Sequence, residues 1–300
     1  MAETQVRLPD TAAPTADEVD VVPTEARVER LTVIRPVSGW PSIDFPELWA
    51  YRELAATLAW RDFRVRYRQT AIGIGWAVLQ PALMTLVFTV VFGKFANFPS
   101  EDLPYPVFTF SGILLWTYFA SALTRSSACL VTNSAFITKV YFPRMLLPLS
   151  SVTSPVIDFV FASSVLVVLM AWFHVPPEAT TLLAPLFLLL AGLTALGVGM
   201  WLAAINVRYR DVPYAIPFLL LMWMFLTPVF YSSRELPEHW QWLYSLNPMT
   251  GVIEGFRWAV VGTPAPSLAQ LAVSLGVAAV LLVTGLAFFK RSEPSFADTI

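Results

Sequence analysis

Long stretches without a charged residue alternate along this chain with short segments dense in arginine and aromatic side chains. The charge-free windows are Gln69–Gly93, Leu103–Thr124, Ala179–Val207 and Val212–Ser233. Met145–Phe173 is interrupted only by Asp158. Trp258–Phe289 is longer than one crossing needs and is broken by GTPAPS, so its crossing starts near Leu268. Each window supplies the roughly 20 apolar residues with which a helix crosses a bilayer. Long apolar runs favour helices, which satisfy their own backbone, whereas a β-barrel would show short alternating strands. The pattern predicts an all-α integral membrane protein with six transmembrane helices. Pro81, Pro155, Pro217 and Pro228 fall within or near these spans and predict kinks.

Two further segments complete the architecture. In Pro46–Gln69, residues Leu48, Tyr51, Leu54, Ala55, Leu58 and Phe63 recur near helical spacing, and Arg61, Arg64, Arg66 and Arg68 crowd its end. This predicts an N-terminal amphipathic interface helix over 46–69, its arginines reaching lipid phosphates and its apolar face dipping into the membrane. Gly73 and Gly75 then give the chain room to turn into the first span. Between the last two spans, Tyr231–Thr263 is too broken to cross but rich in aromatic residues. It predicts outward re-entrant helices before the last span, interrupted at Asn247-Pro248, with Glu254 and Arg257 spaced i, i+3 for pairing. The domain layout expected is a disordered acidic cytoplasmic tail (1–45), the interface helix (46–69), a six-helix transmembrane domain (70–291) and a short cytoplasmic tail (292–300).

Charge sets the orientation. With the N-terminus inside, twelve lysines and arginines flank the spans on the cytoplasmic side, against Lys94, Arg234 and Arg257 outside. Both termini are therefore expected in the cytoplasm. Composition agrees with the membrane class: 56% of the 300 residues are hydrophobic and 13% charged, against about 25% charged in soluble domains. Mean hydropathy is +0.63. A net charge of −2 gives no reason to expect a nucleic-acid partner. Cys129 is the only cysteine, and His174 and His239 are far apart in sequence, so neither an internal disulfide nor a metal site is expected. The N-terminal segment is acidic and rich in Pro and Ala, unlike a signal peptide.

The loops carry the candidate chemistry. TRSSACLVTNSAFITKVYFPRMLLP predicts a short helix followed by Tyr141, Phe142, Pro143 and Arg144, beside Lys139. NVRYRDVPYAIP packs Arg208, Tyr209, Arg210 and Asp211 into one turn. Such clusters suit docking to a soluble protein, and equally suit interfacial flanking charge with aromatic anchors. Trp240, Trp242, Tyr244, Phe256 and Trp258 form either an interfacial aromatic belt or an exit lined with rings on which sugars slide. Asp158, the intramembrane polar residue, should face protein or water, held by a Ser or Thr hydroxyl or else coupled to protons. There is no G-x-x-x-x-G-K-[ST] phosphate loop, no nucleophile elbow and no H-E-x-x-H. No catalytic residue is expected, and any ATP-driven work needs another chain.

Three stretches resemble a known family: LAWRDFRVRYRQTAIGIGWAVLQPALMTLVFTVVFGKFA, ITKVYFPRMLLPLSSV and LNPMTGVIEGFRWAVVG. Together they resemble the permease subunit of type-2 ABC exporters, above all those exporting polysaccharides such as O-antigen or teichoic acid. The resemblance implies two copies of the chain forming a channel for a lipid-linked polysaccharide, with two copies of a separate ATPase below. ATP and Mg would be bound by that partner, leaving no cofactor in this chain. The bacterial cytoplasmic (inner) membrane would be its location. It further implies ATPase-coupling roles for Trp60, Arg61, Arg64, Arg66, Arg208, Tyr209, Arg210 and Asp211. Lys139, Tyr141, Phe142, Pro143 and Arg144 would form the cytoplasmic entrance near the cargo's headgroup. The outward aromatics would line or cap the exit. The acidic tail is a departure from the family's pattern, and with so short a C-terminal segment no carbohydrate-binding domain is expected in this chain. The alternatives are a type-2 permease for a small hydrophobic drug or lipid, an ion-coupled carrier using Asp158, and a membrane scaffold.

Overall fold

A computed structural model describes residues 45–299 except Gln69 and Leu236; the acidic tail expected over residues 1–45 lies, but for Phe45, outside them. The described residues contain helices and no strand. Two helices, α1 (Phe45–Ala50) and α2 (Arg52–Tyr67), take the place of the single interface helix expected over 46–69, with a break at Tyr51. Gly73 follows with φ +59°, a left-handed turn that glycine adopts without steric cost, and α3 (Gly75–Phe88) begins two residues later. Its last turns widen into a π-helical segment, Thr89–Phe95. The long α4 (Tyr105–Thr132) is followed by the short α5 (Ser134–Lys139), then α6 (Leu146–Thr153) and α7 (Pro155–Trp172) as two parts of one span. A 3₁₀ turn leads into α8 (Ala184–Arg208), then come α9 (Val212–Phe225), α10 (Glu238–Ser245), α11 (Pro248–Val261) and α12 (Leu268–Thr299).

Five helical stretches are long and apolar enough to cross a membrane: Gly75–Phe95, Tyr105–Thr132, Leu146–Trp172, Ala179–Arg208 and Leu268–Phe296. The sixth window, expected to span as Val212–Ser233, is a helix of only 14 residues. At 1.5 Å per residue it reaches about 21 Å, short of a hydrocarbon core of about 30 Å. Pro228 explains the stop, because proline disfavours helical geometry in the residue before it. Breaking a helix in an apolar setting frees backbone carbonyls, and here Arg257 of α11 collects them. Its guanidinium donates to the carbonyls of Pro228 (2.6 Å), Val229 and Phe108 (3.3 Å) and lies over the Phe108 ring. Tyr105 Oη donates to the Phe230 carbonyl at 2.8 Å. Arg257 is therefore committed to backbone oxygens, and the expected pairing with Glu254 is not made; Glu254 instead accepts from the Ser233 amide at 3.2 Å.

α4 is the pillar of the fold. Of its apolar stretch 78% is buried, against 11% for Gly75–Phe95 and 17% for Leu268–Phe296, so α4 is surrounded by protein while α3 and α12 lie at the periphery. Phe110, Leu115, Phe119 and Ala122 of α4 join Ala191 and Ala195 of α8 and Val252, Ile253 and Phe256 of α11 in the main core. A second core gathers at the end of the bundle carrying α2: Leu58 of α2, Leu130 of α4, Phe142, Leu146 and Leu147, Met200 and Val207 of α8, and Phe289 and Phe296 of α12. Leu48, Tyr51, Leu54 and Ala55 pack on this cluster. The apolar face expected to dip into lipid thus packs largely on the chain itself. Two further readings change. Residues 126–132, assigned to a loop helix, prolong α4, and α12 continues through 292–299, where a short tail was expected.

Small residues let α8 and α12 approach closely, as is common between helices in membranes. A Cβ on Gly285 would collide with the Gly197 carbonyl oxygen, and one on Gly197 would sit 2.7 Å from the Leu282 backbone. Beside this crossing, Trp201 stacks on Phe288 with ring centroids 4.3 Å apart. Gly285→Val should therefore destabilise the fold by about 1–3 kcal/mol through overpacking, visible as a lower melting temperature in detergent. A control on the outer face of the same helix, Gly276→Ala, has open space around its Cβ and should melt as the parent does.

Candidate functional site

The α2 end of the bundle concentrates the polar chemistry. α2 carries its arginines on successive turns, and three of them meet different partners. Arg61 pairs with Asp62 at 2.7 Å, donates to Asn133 Oδ1 at 2.7 Å and lies over the Phe136 ring. Asn133 sits at the break between α4 and α5, so this contact fastens α2 to the short helix that leads to Lys139. Arg64 is exposed beside Trp60, itself half exposed. Arg66 turns inward. It forms an ion pair with Asp158 of α7 and reaches Ser154 Oγ at 3.3 Å, while Tyr67 Oη donates to Asp158 Oδ1 at 2.9 Å.

Asp158 was expected to find a Ser or Thr hydroxyl on another helix. Its partners are instead an arginine and a tyrosine of α2. Proline at the first position of α7 places Asp158 in that helix's first turn, where the helix dipole also favours a carboxylate. Burial lowers the pKa of the Arg66 guanidinium from its usual value, and the nearby Tyr67 and Asp62 pull it back up.

Around this pair lies a cavity of about 240 Å³, bounded by α2, α3, α4 and α7. Arg66, Tyr67, Arg125 and Asp158 line it, together with Trp76, Gln80 and Phe159. Arg125 and Tyr67 were not among the sequence-predicted site residues. Arg125 was counted only as a flanking loop charge, because the charge-free window ended at Thr124. The helix continues to Thr132, which sets Arg125 two turns inside α4.

The other predicted residues fall into separate places. Lys139 and Tyr141 are exposed, Phe142 is buried in the second core, Pro143 after it is buried too, and Arg144 donates to the Glu293 carbonyl of α12. Phe142 and Arg144 thus knit the segment after α5 to the rest of this end. Arg208, Tyr209, Arg210 and Asp211 form an exposed turn between α8 and α9, with Arg208 over the Tyr209 ring. At the opposite end the aromatics divide. Trp240 and Trp242 are largely exposed, Tyr244 Oη lies 3.2 Å from Tyr231 Oη, and Trp258 is half buried. Phe256 is in the main core, edge-on to Phe159. Among the described residues no three His, Cys, Asp or Glu side chains converge to hold a metal.

A long buried helix, several apolar spans and a charged helix pinned to one end define a multi-pass membrane protein with a built surface at that end. The chain belongs to the ABC-2 type transporter family, whose pattern it matches over residues 53–261, from the start of α2 to the end of α11. Among curated relatives, it is 29% identical over 257 residues to the O-antigen export system permease protein RfbA of Myxococcus xanthus, covering 85% of this chain and 98% of the relative. It is 26% identical to the protein of the same name from Klebsiella pneumoniae, covering 83% and 95%. It is 25% identical to the polysialic acid transport protein KpsM of Escherichia coli, covering 78% and 91%.

If the Arg66–Asp158 pair holds α2 in place, Asp158→Ala should loosen it. Faster amide exchange over Arg52–Tyr67 is expected, with the spans unchanged. The charge-exchanged double variant Arg66→Asp/Asp158→Arg should restore much of the protection. No change in the single variant would remove the pair from any anchoring role.

Proposed function

We propose that this chain is the membrane subunit of an ATP-driven exporter that moves a lipid-linked polysaccharide across the bacterial cytoplasmic membrane. Two copies form the path and two copies of a separate ATPase supply the work. The observation that carries this reading is the near full-length similarity to permeases named for O-antigen and polysialic acid export. The local chemistry fits it. The sequence contains no phosphate loop of its own. Exposed arginines and aromatics from α2 and the α8–α9 turn offer a docking face for a soluble partner, and α2 is tied by ion pair and hydrogen bonds to the spans that would have to move.

In this reading the α2 end is cytoplasmic, in keeping with the bias of Lys and Arg. α9 and the segment after it, through Ser233, make a sixth, broken crossing. α10 and α11 are re-entrant from the outside, and the exposed faces of Trp240 and Trp242 would meet sugar rings or lipid. Lys139 and Tyr141, at the exposed end of α5, stand at the entrance.

The test is recovery of the assembly. A tagged full-length chain, extracted in mild detergent, should retain an ATPase subunit in equal amount, and its deletion should remove a surface polysaccharide. Reversing the exposed charges in Arg64→Glu/Arg208→Glu/Arg210→Glu should reduce the retained ATPase at least about tenfold, consistent with losing several contacts of a fraction of a kcal/mol to about 1 kcal/mol each. Full retention in the triple variant would move the docking face elsewhere. A chain that purifies alone and whose deletion leaves surface polysaccharide intact would overturn the exporter reading.

A further inference from the structure

We propose that the cavity between α2, α3, α4 and α7 is a binding site for the phosphate or diphosphate group of a lipid-linked ligand, with Arg125 and Arg66 as its cationic ligands. The cavity holds two guanidiniums and one carboxylate. Asp158 neutralises Arg66, and no carboxylate pairs with Arg125 among the described residues. The Nε atoms of both arginines are buried and lack a hydrogen-bond partner. Buried donors left unmade cost roughly 1–3 kcal/mol each. Those two atoms are closed off, so a ligand would meet the arginines through their other guanidinium N–H groups, and a phosphate offers anionic oxygens in the spacing that a guanidinium fork accepts. Tyr67, already directed at Asp158, supplies a hydroxyl on the same wall.

Depth in the membrane selects an ester over a freely diffusing anion. α4 has 28 residues, about 42 Å of helix, which matches a bilayer including its polar layers. Arg125 lies seven residues before the end of α4, about 10 Å in from it. That is the border between headgroups and hydrocarbon. The rest of the lining mixes polar Gln80, Thr117 and Ser121 with apolar and aromatic residues, among them Trp76, Leu114, Pro155 and Phe159, which suit a chain leaving the phosphate toward the hydrocarbon. The site differs from the entrance residues Lys139 and Arg144, of which Arg144 is engaged with the Glu293 carbonyl. That the bound phosphate belongs to the exported cargo rests on the exporter reading.

Asp158 gives the proposal a distinctive sign. In the empty site it holds Arg66, so it competes with an incoming anion for the same guanidinium. Removing its charge should strengthen binding even as it loosens α2.

The experiment is calorimetry on the full-length chain in dodecyl maltoside, which carries no phosphate, using inorganic diphosphate and farnesyl diphosphate as probes. Farnesyl diphosphate should bind to the parent protein. Arg125→Gln should weaken it at least about tenfold, the scale of one lost charge-assisted group. Arg125→Lys, which keeps the charge and serves as the folding control, should restore part of the affinity, and Asp158→Asn should raise it severalfold. Equal affinity for inorganic diphosphate would keep the anion site but assign it to a soluble source, overturning the lipid-linked assignment. No binding to the parent, or a monodisperse Arg125→Gln that binds as the parent does, overturns the site. Export of surface polysaccharide is scored separately in cells. A variant that loses binding but exports normally severs the site from the cargo, whereas a parent chain dispensable for export sinks the exporter reading and leaves the binding result standing.

Discussion

A backbone carbonyl in hydrocarbon has no water to turn to, and this constraint governs the irregular parts of the structure. The regular spans meet it by being helical. Where the sixth apolar segment stops short at Pro228, the freed carbonyls of Pro228 and Val229 need donors from elsewhere, and one buried arginine supplies them. Arg257 is thereby fixed at the end of the bundle opposite α2, with Phe108 beneath its guanidinium. A buried cation held by neutral oxygens is costly in isolation. It is tolerable here because nearly every donor faces an acceptor and the alternative is a set of unpaired carbonyls.

The same economy of partners operates at the other end with a different result. Arg66 and Asp158 are each largely shielded, and such a pair contributes little net stability once desolvation is counted. Its value is geometric. It joins α2, which lies outside the spans, to the first turn of α7, which is inside one. Arg61 joins the same α2 to Asn133 at the end of α4, the pillar of the bundle. Displacement of α2 is therefore transmitted to two spans through polar contacts, while its Leu58 face remains embedded in the second core. A helix attached in this way moves with its neighbours or pulls on them, which is the mechanical requirement for coupling to a partner docked on its exposed side.

Much of this was legible in the sequence, for a simple reason: membrane spans announce themselves by missing charges, and five of the six windows became long apolar helices. The charged helix before the first span and the break before Leu268 were equally plain. What failed were inferences about partners across the fold. The window method ended the second span at Arg125 because it treats any charge as a boundary, yet a charged residue two turns inside a helix is admissible when it faces a polar cavity. Spacing i, i+3 suggested that Glu254 and Arg257 would pair, but spacing says nothing of the carbonyls that a distant proline releases. Phe256 read as an exit aromatic from its neighbours in sequence, whereas on α11 it sits on the face turned toward the core. Asp158 was recognised as needing a partner, and the partner lay about 90 residues upstream, beyond the reach of local pattern.

Arg125 and Asp158 show why the position of a charge is informative even when its pairing is not. A chain whose spans are otherwise nearly free of charge has placed two charged residues, on α4 and α7, beside the same cavity. Stability alone does not favour that arrangement, since apolar residues of similar volume would fill the space without desolvation cost. Asp158 can be accounted for by its contacts with Arg66 and Tyr67. Among the described residues Arg125 has no ion pair, and it increases the positive charge around a site that already holds one arginine. A cation without an ion pair among the described residues, lining a cavity at one end of the bundle, is most economically explained by an anion that enters there, and it is this residue that makes the cavity more than a packing defect.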